Sequence, residues 1–203
     1  TDVRLHYTVD RDSFAQVVSE VSPKFEPKTT LDVRWSLDMR RLSGLPPEST
    51  LDYWWTVKDA RDSKVETAPA RIQFDDNRYS WQSLTERMVT VYWYEGKQAF
   101  AQEIMSAAQE ALAKLSRDTG AQLTKPVRLY IYASTQDLQG AMIFPQEWTG
   151  GATYAEYGCI AIGISTSNLN WGKRAIAHEL SHLVTYQMVF NPYNDLPTWL
   201  NEG

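Results

Sequence analysis

The hydrophobic period of this chain changes once, near residue 80, and that change divides what it can fold into. Before it, apolar residues fall on every second position. Val3, Leu5, Tyr7 and Val9 form one such run, Leu31, Val33, Trp35, Leu37 and Met39 a second, and Leu51, Tyr53, Trp55 and Val57 a third. Successive side chains of a strand point to opposite faces, so each run is predicted to be a half-buried antiparallel strand. Ile72 and Phe74 suggest one more. Gly44-Leu45-Pro46-Pro47 and Asp62-Ser63 supply the turns between them. After the change, Phe100, Ile104, Met105, Ala108, Leu112 and Leu115 recur at three- and four-residue spacing, which predicts a helix over 97–117, ended by Thr119-Gly120. Strands are predicted over 88–94, 126–133 and 157–164, and a second long helix from Trp171 to about Val189.

The two halves together predict an α+β protein. An immunoglobulin/fibronectin-like β-sandwich is expected over residues 1–79 and a mixed α+β domain over 80–203. Its 203 residues carry enough apolar side chain, 43%, to build a core in each half. The formal charge of -5 is scattered, with no basic block, so a nucleic-acid partner is not expected. No apolar run reaches the roughly 18–20 residues that span a bilayer. Cys159 is the only cysteine, which excludes an internal disulfide and a cysteine-based metal cluster; it reads as a small buried strand residue. The chain starts at Thr1 inside a strand pattern and stops at Gly203, so it reads as a piece of a longer protein.

Chemistry concentrates in the second long helix. His178-Glu179-Leu180-Ser181-His182 is HExxH, and it holds two of the three histidines in the chain. Four residues advance a helix by about 400°, which stacks both imidazoles one turn apart on one face, within reach of a single Zn²⁺. Glu179 lies about 100° round the helix, where it can take a proton from a water activated by the ion. Ile176, Leu180, Leu183 and Val184 are available to bury the opposite side. A catalytic zinc site takes three protein ligands and leaves one position open. No third His follows at the HExxHxxGxxH offsets. Glu202, in Leu196-Pro197-Thr198-Trp199-Leu200-Asn201-Glu202-Gly203, is the acidic candidate.

An HExxH helix followed at this distance by Trp-Leu-Asn-Glu-Gly resembles the gluzincin metallopeptidases. Nineteen residues, 183–201, separate His182 from Glu202, one more than in the similar Asn-Glu-Gly pattern of the aminopeptidase N-like branch. The wording is closer still to the bacterial peptidase MA-like proteins, which also carry a β-sandwich ahead of the catalytic part. The resemblance covers roughly residues 85–203. It implies the N-terminal part of a gluzincin-type catalytic domain, incomplete at its C-terminus, with Zn²⁺ held by His178, His182 and Glu202 and with Glu179 as general base. It further implies a peptide or protein substrate, a secreted or cell-surface location, and a cleft-lining strand that pairs with substrate backbone. The matching segment runs from Gly150, Gly151 and Ala152 to Ile164, and an ordinary edge strand is the competing reading of it. Gluzincins stabilise the oxyanion with a Tyr or His downstream of Glu202, a region this chain does not include.

Other readings stand beside this one. The chain can be a non-catalytic structural or binding subunit that keeps the fold. In the peptidase reading the sandwich is an accessory domain that positions the catalytic part or docks a protein partner. Glu202 can be a helix-start acid. Tyr186 falls at core spacing, Tyr193 follows the motif, and His6 reads as a satisfied strand histidine. Trp54, Trp55, Trp81, Trp93, Trp148 and Trp171 suggest a sugar-stacking surface, although most lie in strand patterns where core packing accounts for them. No acidic clamp for a substrate amine is identifiable.

Overall fold

The computed structural model describes residues 2–12, 15–26, 28–191, 196, 197 and 199. It divides into two compact units between Asp75 and Asp76.

The first unit is built on the pairing of its two longest strands, β1 (Asp2–Val9) and β3 (Ser49–Lys58). They run antiparallel with Val3 opposite Val57, Leu5 opposite Trp55, Tyr7 opposite Tyr53 and Val9 opposite Leu51. Two alternating runs of the sequence therefore face each other residue for residue. Cross-strand pairs of this kind are the unit of sheet stabilisation. Val3, Leu5, Tyr7 and Leu51 are buried, with Leu45. Between β1 and β3 comes β2 (Ser19–Val21), which pairs with the far side of β1. The later β4 (Lys64–Glu66) and β5 (Ala70–Phe74) pair with successive stretches of β3. All five belong to one sheet.

The Leu31–Met39 run behaves differently from expectation. Its exposure alternates as a strand's would, yet residues 31–38 join no ladder. Trp35 instead places its ring 5.5 Å from that of Tyr7. Alternating exposure and hydrogen bonding to a neighbour are separate conditions, and here only the alternation is present.

The second unit holds a five-stranded mixed sheet in the order β6-β7-β8-β10-β9. Its strands are β6 (Gln82–Glu86), β7 (Val89–Trp93), β8 (Val127–Tyr132), β9 (Gly151–Tyr154) and β10 (Cys159–Gly163). The central β7, β8 and β10 are parallel, and the outer β6 and β9 are antiparallel to their neighbours. Helix α1 (Gln98–Thr119) makes the crossover from β7 to β8. The short α2 (Thr135–Gln139) follows β8, and α3 (Leu169–Val189) follows β10.

One face of this sheet carries the main core. Val89, Val91, Trp93, Val127, Leu129, Ile131, Ile160 and Ile162 pack there against Ala101, Ile104, Met105 and Ala108 of α1 and against Ile176, Leu180 and Leu183 of α3. The opposite face presents Tyr130, Tyr132, Cys159 and Ala161 with Leu138 of α2, ringed by Tyr79, Trp81, Tyr92 and Tyr94. Cys159 is buried as expected. The polar stretch before β7, for which no strand was expected, contains β6. It also anchors to the sheet: Asp76 accepts from both the Arg78 guanidinium and the Tyr132 hydroxyl, at 2.7–2.9 Å. Asp76 and Arg78 thus fall in the second unit, a few residues before the boundary near 80 that composition suggests.

Helix α3 sits close on the sheet because Gly172 lacks a side chain. A Cβ built there would lie 2.5 Å from Cγ2 of Ile164, just past the end of β10. Lys173 Nζ bonds Glu103 of α1 at 2.6 Å. At the other end, Gln187 Oε1 accepts from the backbone N–H groups of Thr124 and Lys125. The helix carrying HExxH is therefore fixed at both ends and along its buried stripe.

Candidate active site

Helix α3 buries Ile176, Leu180, Leu183 and Val184 and turns the motif's polar residues away from that stripe. His178 is exposed and His182 half-buried. Their Nε2 atoms lie 3.0 Å apart, with the rings nearly perpendicular at 83°. Ser181 Oγ donates to the His178 carbonyl oxygen at 2.6 Å.

The pair fits one metal ion. Two imidazole nitrogens, each about 2.05 Å from a tetrahedral Zn²⁺, stand about 3.3 Å apart. The observed 3.0 Å is within a few tenths of an ångström of that spacing. Among the described residues, no group of three or more His, Cys, Asp or Glu side chains converges to hold a metal. Glu202 and Tyr193, named from the sequence, lie outside the described residues.

Glu179 projects toward β9, which pairs with β10 at one end of the sheet order. Thr153 Oγ1 donates to Glu179 Oε2 at 2.6 Å and lies 3.2 Å from the Glu179 carbonyl oxygen. Gly151 also lies against this carboxylate: a Cβ built on it would stand 2.6 Å from Glu179 Oε1. Gly150 backs onto the Trp171 ring, 2.9 Å from a built Cβ, and its carbonyl accepts from Gly163 N–H at 3.0 Å. Of the Gly150–Ala152 segment picked out from the sequence, Gly151 and Ala152 belong to β9, which lies beside Glu179 at one end of the described sheet order. On the same strand, Tyr154 is held in its neutral form: burial, with a smaller contribution from Cys159, pushes its phenol up to about 12.

Thr153 was not readable as a site residue, because it meets Glu179 only through the fold. Trp171, named from the sequence only as part of a sugar-stacking surface, instead lies against Gly150. Most of the remaining candidates are accounted for by packing. His6 Nε2 lies 3.0 Å from Thr56 Oγ1 and its ring stacks on Trp54. Tyr186 packs on Phe190. Trp93 is buried and Trp81 sits edge-on among Tyr79, Tyr94, Tyr130 and Tyr132, while Trp148 is exposed. These indoles form no shared platform within the second unit.

Helix α3 thus carries an imidazole pair on one face and sets the Glu179 carboxylate against β9. Residues 107–203 match the Peptidase MA superfamily. The match starts within α1 and takes in β8, β9, β10 and the whole of α3; residues 1–106 lie outside it. The similarity supports a metallopeptidase or hydrolase reading at a coarse level. No curated protein is similar enough to the chain to count as a match. Among the described residues, no helix is long and apolar enough to cross a membrane.

Proposed function

We propose that the chain carries the metal-binding helix and the substrate-side strand of a gluzincin-type zinc peptidase. The observation behind this reading is the convergence of His178 and His182 Nε2 at 3.0 Å, with Glu179 on the adjacent face against β9. His178, His182 and Glu202 would hold the ion. Bound there, Zn²⁺ would supply Lewis acidity toward a peptide carbonyl and ease the loss of a proton from water. Glu179 takes that proton and passes it to the leaving amine. Within the Gly150, Gly151 and Ala152 segment, whose Gly150 carbonyl is already engaged by Gly163 N–H, the outer edge of the strand at Gly151 would pair with an extended substrate, which recognises a peptide without selecting its side chains. The first unit is read as an immunoglobulin/fibronectin-like accessory domain that docks a protein partner. Within that unit the described strands form one sheet, and the Trp35 ring packs beside Tyr7. A secreted or cell-surface location goes with the same family reading.

The test is metal content followed by turnover. Protein purified without added metal or chelator is expected to hold about one zinc per chain, lost in His178→Ala and His182→Ala. Glu179→Gln should keep the metal and lose peptidase activity by at least about 10³-fold. Full activity in Glu179→Gln would refute the mechanism. One tightly held zinc in a wild type that hydrolyses no peptide would favour the non-catalytic binding subunit instead.

A further inference from the structure

The contact between β9 and Glu179 assigns a role to a residue outside the HExxH motif. We propose that Thr153 is the positioning residue of Glu179, holding one carboxylate oxygen so that the other is presented over Gly151. The inference rests on the peptidase reading of Glu179 and adds the device that orients it.

Both ends of the contact are held by regular structure. Thr153 is fixed in the β9–β10 ladder opposite Ile160. Glu179 is fixed on α3 between the buried Ile176 and Leu180. The hydroxyl-to-carboxylate distance of 2.6 Å is that of a charge-assisted O–H···O⁻ bond, about twice as strong as a neutral one. A hydroxyl has one proton, and the shorter contact places it on Oε2 rather than on the Glu179 carbonyl at 3.2 Å. Oε2 is thereby engaged and Oε1 faces Gly151, where only the missing Cβ makes room for it. A Glu side chain has three rotatable bonds. A base must lie within about 0.5 Å of its productive position, and a second residue locking the rotamer is the usual means.

The substitutions are Thr153→Val, which keeps shape and β-branching but removes the hydroxyl, and Thr153→Ser, which restores it. In zinc-loaded protein, Thr153→Val is expected to lower kcat about tenfold or more with KM within twofold, and Thr153→Ser to recover most of the loss. A second readout needs neither metal nor turnover. In chelator-treated full chain, a double-mutant cycle of Thr153→Val with Glu179→Ala, read by denaturant unfolding, should show at least about fivefold coupling in the unfolding equilibrium. Absence of coupling, or a Thr153→Val enzyme with unchanged kcat, overturns the assignment. Coupling in a chain that binds zinc but has no activity would uphold the Thr153–Glu179 pairing and sink the peptidase reading alone.

Discussion

Gly151→Ala offers a test in which stability and activity should move in opposite directions. Gly151 lies within β9 and its φ is not in the left-handed region, so the backbone there accepts an L side chain without strain. Replacing a strand glycine with alanine at such a site gains about 0.4–1 kcal/mol by reducing the freedom of the unfolded chain. The added methyl, however, falls 2.6 Å from Oε1, 3.1 Å from Cδ and 3.3 Å from Cγ of Glu179. Ordinary contact begins near 3.4 Å, so the carboxylate must retreat by about 0.8 Å, the difference from 2.6 Å. The atom that moves is the far end of a flexible side chain, so the fold is spared and the cost falls on the geometry of proton transfer. A displacement near 1 Å at a reacting group can cost about 10²-fold in rate. We therefore expect unchanged or slightly raised thermal stability, unchanged zinc content, and kcat lower by about 10–100-fold. Paired measurements of Tm and of kcat on a fluorogenic peptide would show this. A Gly151→Ala enzyme with wild-type kcat would refute the argument that the missing Cβ seats the base.

Two further substitutions address the scaffold. Gly172→Ala gains about 0.8–1.0 kcal/mol of helix propensity but drives a methyl into Ile164, at 2.5 Å from Cγ2 and 2.8 Å from Cδ1. Overpacking of about 1–3 kcal/mol outweighs the gain, so a lower unfolding midpoint in denaturant is expected, with zinc binding weakened as α3 lifts from the sheet. Asp76 gives the second unit an acid limb. Burial alone would raise its pKa, but the Arg78 guanidinium, the Tyr132 hydroxyl and the Arg78 backbone N–H more than offset that and hold it below the ordinary carboxylate value. A depressed folded pKa contributes stability above the unfolded value of about 3.9 and loses it as pH falls through the folded one. Wild-type stability should therefore fall below about pH 4, and Asp76→Asn should be less stable at pH 7 and show less of that fall, as read by denaturant midpoints across pH 2–7.

What could be read in advance follows the range of the interactions. The imidazole pair needs only helix geometry, and His178 and His182 stand where a four-residue spacing puts them. Strands β7, β8 and β10 and helices α1 and α3 lie within a few residues of their predicted spans, because each buries a continuous apolar face. Strand β6 was hidden in Gln82–Glu86, whose residues are mostly exposed at a sheet edge and carry no apolar alternation. The Leu31–Leu37 run shows the converse, a strand's pattern without a strand's ladder. Gly151 was picked out as backbone for a substrate. That it also clears space for Glu179 depends on how α3 crosses β9, which no spacing within either segment records.

That contrast bears on how the site is assembled during folding. The imidazole pair is complete within one turn of α3, four residues apart, so it exists wherever that helix exists. The seat of the Glu179 carboxylate joins positions 26 residues apart and exists only once β9 has closed onto β10 beneath the helix. A nascent or partly unfolded chain would thus present its histidines before its base was in place. Grafted onto another helix, the motif would carry the two imidazoles with it and leave the seat of the proton acceptor behind.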